Sequence, residues 1–221
     1  MEEGAPKELP DFSNTEIAFS AKTNAELKKM EKLFRAMNNP TLVKAGTKLG
    51  LFAVKLNFPF ADYIIKKTIF EQFCGGENLW NCQKAIDKLH KFHTLSVLDY
   101  GAEAKDTDEE FDAVMNENMK AIEMAASNNS VPVISTKLTG LVDNSVLEAM
   151  QNKTALTPDQ KSKYEGFVRR VDSICSKGHQ HGVGVFIDAE ETWMQDPIDN
   201  LAMEMMEKYN KEKVIVYNTY Q

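Results

Sequence analysis

The sequence predicts an α/β protein in which helices flank a parallel sheet. Three observations lead to this fold class. Four short apolar runs recur after residue 94, amphipathic helical segments separate them, and each run ends on polar side chains. Runs that are apolar on both faces are typical of parallel strands covered by helices. An open four-stranded sheet and part of a (βα)8 barrel both satisfy this pattern.

Helices are predicted to dominate residues 1–94, after a short N-terminal tail. The first main helix follows Thr23, which opens a Thr-x-x-Glu capping box, and it stops before Pro40. The most apolar window, Leu49–Ile65, is interrupted by Lys55 and Pro59 and is too broken to span a bilayer. We expect a buried helix pair in this window, with a peripheral membrane contact as the alternative.

Residues 95–221 are predicted to hold the four strands. The strands are expected in the runs LSVLDY, VPVIST, VGVFID and KVIVYN. The helices between them begin with N-terminal signals at Thr107, Thr157 and Asp196. We expect the helix after Thr157 to end at Gly178, which places two histidines in the turn that follows.

Composition restricts the classes of function. A net charge of −7 argues against a general nucleic-acid binder, because such a protein needs a basic face for phosphates. Three cysteines without CxxC spacing predict neither a disulfide framework nor a zinc site, and they fit a reducing compartment. The acidic start resembles neither a secretory signal nor an Arg-rich transit peptide. We therefore expect a cytoplasmic location, with a peripheral contact to the inner membrane as an option.

Polar side chains follow each predicted strand. Asp99 and Glu103 follow the first strand, Lys137 the second, Asp188 the third and Asn218 the fourth. The carboxyl ends of parallel strands meet at one edge, where ligands bind in α/β folds. We expect the last three residues to share a pocket. A buried Asp188 needs a cationic partner, and Lys137 is the obvious candidate.

The residues alone leave several functions open. Lys137 could bind a substrate carboxylate, or it could form a Schiff base in an aldolase-type barrel. Asp188, Glu190 and Glu191 could hold a divalent metal, although strand alternation argues against one shared cavity. Asp188 could instead cap the following turn. A non-catalytic half-barrel assembly module would use its open strand edges to pair with a partner.

Four motifs carry a resemblance to a known family. FEQFCGGE, LDYGAEA, FIDAEETWMQ and VYNTYQ resemble, in order and spacing, motifs of the proline dehydrogenase family. The resemblance implies the first half of a (βα)8 barrel, four strands preceded by N-terminal helices. It also implies oxidation of L-proline to Δ1-pyrroline-5-carboxylate with FAD, with electrons passing to a quinone.

The resemblance also implies residue roles. Lys137 matches the lysine that pairs with the proline carboxylate, and Asp188 matches the aspartate that holds the cationic groups of the catalytic site. Asn218 lies where the family has an amide near the flavin, whereas Asp99 and Glu103 match acidic residues of open role. Because a closed barrel needs eight strands, we expect a C-terminal half as a missing partner. The 221 residues alone are expected to be inactive and to hold FAD weakly.

Overall fold

The computed structural model describes residues 12–101 and 105–221, so Glu103 lies outside the described residues. The chain splits into two compact units, with the boundary between Phe92 and His93. The described part of the first unit is helical, and the second combines helices with a sheet.

The first unit follows the predicted helical pattern. Thr23 and Glu26 form both hydrogen bonds of the capping box, which fixes the start of the first long helix. The Asn39 side chain caps the next helix, and Pro40 occupies its first turn. The helices are α1 (Thr15–Ala18), α2 (Asn24–Met37), α3 (Pro40–Lys55), α4 (Ala61–Ile65), α5 (Glu71–Phe73) and α6 (Leu79–His90), with a π-helical turn over Lys66–Phe70 between α4 and α5.

The helices of the apolar window are not buried, so the prediction of a buried helix pair is wrong. None of the residues of α3 is buried, and Leu49 is 69% exposed. Phe60, in the turn that follows α3, is 77% exposed. Among the described residues, no helix is both long enough and apolar enough to cross a membrane.

The second unit contains one parallel sheet, which confirms the predicted α/β fold class. Its strands lie in the order β1-β2-β3-β4, and each pairs in parallel with the next. The strands are β1 (Val97–Asp99), β2 (Val133–Thr136), β3 (Gly184–Ile187) and β4 (Val216–Asn218), and the helices are α7 (Asp108–Ala126), α8 (Asn144–Gln151), α9 (Pro158–His181) and α10 (Gln195–Tyr209).

One face of the sheet forms the core against the helices. Leu98, Ile134, Val185 and Val216 stand side by side in register, and all four are buried. A Cβ atom at Gly178 of α9 would lie 2.7 Å from the Val185 side chain. The absence of a side chain at this position therefore lets α9 approach β3 closely.

The predicted end of α9 at Gly178 is wrong, because this glycine serves the close packing of α9 on β3. Gly178 lies inside the helix, where it serves packing, and α9 continues to His181. Gly182 ends the helix with a φ of 67°, a left-handed conformation that glycine adopts without a steric penalty. His179 and His181 therefore belong to the last turn of α9 and not to a loop.

The other face of the sheet carries no row of fully buried apolar side chains. Phe186 and Tyr217 stand next to each other on it, and their rings meet edge to face with centroids 5.1 Å apart. Val97 at the same face is 47% exposed and Tyr217 is 37% exposed. In the described part of the second unit the helices pack on the opposite face, so we call this side the helix-free face of the sheet.

Candidate active site

Lys137 and Asp188 emerge at the same level from neighbouring strands. Thr136 pairs with Ile187 in the ladder, and each of the two candidates is the next residue along its strand. The ladder continues past this pair, because the Asp188 N–H donates to the Thr136 carbonyl at 3.1 Å. Side chains alternate along strands, so both candidates project toward the helix-free face. Both are half-buried, and the ion pair expected between them stays a prediction.

Asn218 does not join them. It pairs in register with Ile187, one residue below the level of Asp188, and alternation therefore turns it toward the helices. Its Nδ2 donates to Asp199 Oδ1 of α10 at 2.9 Å. The expectation that all three residues share a pocket is corrected here, whereas a contact of Asn218 with a cofactor stays a prediction.

Glu190 links the ends of β2 and β3. Its Oε1 accepts from the Thr139 N–H at 3.0 Å, and its Oε2 accepts from the Thr139 hydroxyl. Thr139 is buried in the 3-10 turn Leu138–Gly140 that follows β2. Burial raises the pKa of Glu190, and the hydrogen bonds from Thr139 oppose that rise.

A chain of hydrogen bonds continues from Glu190 to β4. The Glu190 N–H donates to Gln195 Oε1, and Gln195 Nε2 donates to Asp199 Oδ1, each at 2.7 Å. Asp199 is also the acceptor for Asn218. We call Thr139, Glu190, Gln195, Asp199 and Asn218 the strand-end network. No local pattern in the sequence predicts the whole network, because Thr139 and Asn218 are distant along the chain from Glu190 and Asp199 and meet them only in the fold.

A cavity of about 530 Å³ opens at these strand ends. Its volume lies in the range of small-molecule sites. Lys137 brings a cationic side chain to the wall, and Glu190 and Glu191 bring carboxylates. The described lining consists of Lys137, Thr139, Asn144, Ala189, Glu190, Glu191, Thr192, Trp193 and Gln221.

The geometry does not favour the carboxylate metal site considered above. The Glu190 carboxylate already accepts a hydrogen bond from Thr139, and the Glu191 side chain is exposed to solvent. Within residues 12–101 and 105–221, no group of three or more His, Cys, Asp or Glu side chains is arranged to hold a metal ion. Asp99 ends β1 in register with Ser135, and its role stays open.

Comparison with known proteins decides the family. Residues 82–221 match the family described as "Proline dehydrogenase". The chain belongs to this family. It is 32% identical over 225 residues to "Proline dehydrogenase 1, mitochondrial" of Dictyostelium discoideum, and the match covers 85% of this chain and 38% of that protein. It is 26% identical over 211 residues to "Probable proline dehydrogenase, mitochondrial" of Schizosaccharomyces pombe, with 74% and 42% covered. The chain thus spans less than half the length of these two family members.

A solved structure supports the fold. Proline utilization A (PutA) from Bdellovibrio bacteriovorus, inactivated by N-propargylglycine, superposes with a TM-score of 0.53 and 18% sequence identity. The superposition covers 87% of this chain and 21% of that chain. At this level of identity the likeness concerns the fold alone.

The predicted cytoplasmic location is wrong. The Dictyostelium and Schizosaccharomyces family members are both named as mitochondrial. The prediction relied on the acidic N-terminal residues and on the cysteines, and Cys74, Cys82 and Cys175 are free in the structure. Free thiols indicate a reducing environment, but they do not distinguish one reducing compartment from another.

Proposed function

We propose that this chain forms part of a flavin-dependent proline dehydrogenase, which oxidises L-proline to Δ1-pyrroline-5-carboxylate and passes electrons to a quinone. One observation carries the proposal beyond family membership. A lysine and an aspartate stand at the same level of neighbouring strands, Lys137 and Asp188, and the lysine lines a cavity of small-molecule size. A cation and an anion side by side complement an amino acid, which bears both charges.

Lys137 is proposed to bind the substrate carboxylate. A lysine is cationic at neutral pH, and at a half-buried position water screens its attraction for an anion less strongly. The carboxylate of proline would therefore be held at the wall of the cavity, with the ring directed along the helix-free face. Asp188 is proposed to hold the cationic groups of the site in place.

The residues on the helix-free face fit a flavin ring. Phe186 lies two residues before Asp188 on the same face, and its ring packs edge to face against Tyr217, so an aromatic surface adjoins the proposed substrate position. The Ser135 hydroxyl is buried without a hydrogen-bond partner among the described residues, and it stands in register with Phe186. Phe186, Tyr217 and Ser135 would hold the ring. FAD, when bound, supplies the acceptor for the hydride that leaves the proline carbon next to nitrogen.

The strand-end network holds in place the turn next to Lys137. Thr139 lies two residues after Lys137 and donates two hydrogen bonds to Glu190. These hydrogen bonds fix the turn that directly follows the lysine. The direction of the Lys137 side chain therefore depends on β3 as well as on its own strand. In this proposal the network keeps the carboxylate-binding group at a constant distance from the flavin-facing side chains.

Binding of L-proline tests the proposal without requiring turnover. We expect L-proline, and not D-proline to the same extent, to shift the NMR signals of Lys137 and Thr139 in the full chain. Removal of a charge-assisted contact costs about 2 kcal/mol, so Lys137→Gln should weaken proline binding roughly thirtyfold. Lys153→Gln, which removes an exposed lysine, should leave binding unchanged.

Other outcomes would replace the proposal. No proline-dependent shift at Lys137 would contradict carboxylate binding at this position. Borohydride trapping of a carbonyl substrate on Lys137 would support the Schiff-base aldolase alternative. A stable dimer through the open edges β1 and β4, without any ligand, would favour the assembly module.

A further inference from the structure

Two of the three cysteines lie close together where α5 ends and α6 begins. Cys74 directly follows α5, and Cys82 is the fourth residue of α6. A Cβ atom at Gly75, the residue next to Cys74, would lie 3.6 Å from the Cys82 Sγ. Burial raises the pKa of the Cys82 thiol, and repulsion from the Cys74 thiolate adds to this rise. The two thiols are therefore neighbours.

The segment between the two cysteines lies directly against the start of α6. A Cβ atom at Gly76 would lie 2.6 Å from the Cys82 backbone nitrogen, so any side chain at this position would push the segment away. The Asn78 side chain accepts a hydrogen bond from the Asn81 N–H at 3.0 Å and fixes the start of the helix. The glycine and the helix cap together keep Cys74 beside the Cys82 side chain.

The three cysteines differ in their access to solvent. Cys74 is exposed, Cys82 is half-buried and Cys175 is fully buried in the second unit. Burial raises the pKa of the Cys175 thiol to about 12, so its thiolate, which is the reactive form, is scarcely populated at neutral pH. An oxidant in solution therefore reaches Cys74 first, and Cys175 provides an unreactive reference within the same chain.

We propose that Cys74 and Cys82 form a reversible disulfide in response to hydrogen peroxide. The Cys74 thiolate attacks the peroxide, so that an S–O bond forms, the O–O bond breaks and hydroxide leaves. The Cys82 thiolate then attacks the Cys74 sulfur, so that the S–S bond forms, the S–O bond breaks and a second hydroxide leaves. The two thiols give up two electrons, and their two protons convert both hydroxides to water. A small thiol reverses the reaction by thiol–disulfide exchange and is itself oxidised to a disulfide.

The disulfide ties the end of α5 to the first turn of α6. Disulfides join Cα atoms up to about 7 Å apart, and Gly75 and Gly76 let the backbone after Cys74 adjust to that distance. The bond closes a short loop, residues 74–82, and restricts the local opening of this segment. Amide hydrogen exchange within residues 74–82 is therefore slower in the oxidised chain than in the reduced chain. The proposal is independent of the catalytic function proposed above.

Mass spectrometry of the full chain tests the pairing. After treatment of the folded chain with hydrogen peroxide, the intact mass should fall by two hydrogen atoms. Proteolytic digestion without reductant should then yield a pair of peptides joined through Cys74 and Cys82. Titration with a thiol reagent in denaturant should find one free thiol in place of the three of the reduced chain, and a dithiol reductant should restore all three.

Three single variants assign the roles of the cysteines. Cys74→Ser should abolish the mass change, whereas Cys82→Ser should leave a sulfenic acid on Cys74 that dimedone traps. Cys175→Ser, the matched control, should form the disulfide as the wild type does, and circular dichroism should show the same helix content in all variants. The proposal fails if the peroxide-treated wild type keeps three free thiols or carries only sulfinic or sulfonic acid at Cys74. It also fails if electrophoresis without reductant shows that the disulfide joins two chains.

Discussion

At the scale of single residues, the candidate site depends on Glu190, a glutamate whose carboxyl group is partly buried. Glu190 makes two hydrogen bonds to Thr139, which favour the carboxylate, while burial favours the protonated acid. Because burial is the largest cause, the pKa of Glu190 lies above that of an ordinary glutamate. The charge of the neighbouring Glu191, which is exposed, adds to this rise.

This balance predicts a pH-dependent difference in stability. In the folded state Glu190 retains its proton to higher pH than in the unfolded state, so its stabilising effect is present at acidic pH. That effect is lost as pH rises from the ordinary glutamate pKa through the raised folded pKa. Urea denaturation should therefore show the wild type losing stability relative to Glu190→Gln between acidic and neutral pH. Glu207→Gln, a change at an exposed position of α10, should leave the pH dependence of the wild type unchanged. A parallel course of all three proteins would contradict the assignment.

Sequence reasoning succeeded for residues whose position follows from the strand pattern and failed where one residue of register mattered. The position of Lys137 and Asp188 beside each other at the ends of their strands could be predicted, because each residue directly follows a buried apolar run. Asn218 pairs with Ile187, the residue before Asp188, and therefore lies one residue short of the level of Asp188. This difference of one residue turns its side chain toward α10. Glu190 and Thr139 could not be paired in advance, because they lie 51 residues apart.

At the scale of elements, α7 and α9 are joined through one buried arginine. The Arg170 side chain is 2% exposed, and its Nε and Nη2 donate to Asp112 and Asp108 of α7, each at 2.6 Å. The guanidinium also lies over the Phe111 ring. Arg169, the next residue, is 68% exposed and reaches Asp112 only at 3.7 Å.

The two arginines should respond very differently to truncation. Arg170→Ala leaves a void beneath α9 and removes the hydrogen-bonded ion pairs to Asp108 and Asp112, so we expect a loss of about 3 kcal/mol in the free energy of unfolding. Arg169→Ala removes a solvent-exposed pair and should cost about 0.5 kcal/mol or less. Chemical denaturation of both variants gives the comparison. Equal losses would show that Arg170 does not join the two helices.

The starts of helices could be predicted better than their packing. The N-caps predicted at Thr23, Thr107 and Thr157 all form, because they depend on residues only three positions apart, and at Thr157 the structure adds a capping box with Gln160. The eight-residue helix α8 was not anticipated, since one short amphipathic stretch resembles a loop. Gly178 resembles a helix end in the sequence, and only the approach of Val185 shows that it serves close packing.

At the scale of the whole molecule, the sheet of the second unit has unequal faces. Helices bury the face that carries Leu98 and Val185, whereas Val97 and Tyr217 on the helix-free face stay partly exposed. Within the second unit, a flavin ring that packs on Phe186 and Tyr217 would therefore be covered on one side only. Since apolar burial supplies most of the affinity of such a contact, half-coverage predicts weak binding.

Flavin binding should therefore be measurable but weak in these 221 residues. We expect a purified sample to show no stoichiometric flavin absorbance, while added FAD loses part of its fluorescence on titration with the chain. Phe186→Ala should abolish this quenching, because it removes the ring surface next to Asp188. Trp193→Ala, which removes a larger exposed aromatic ring that lines the cavity, should leave the quenching in place. FAD retained one-to-one through gel filtration would contradict half-coverage, and equal quenching by both variants would place the flavin elsewhere than on the helix-free face.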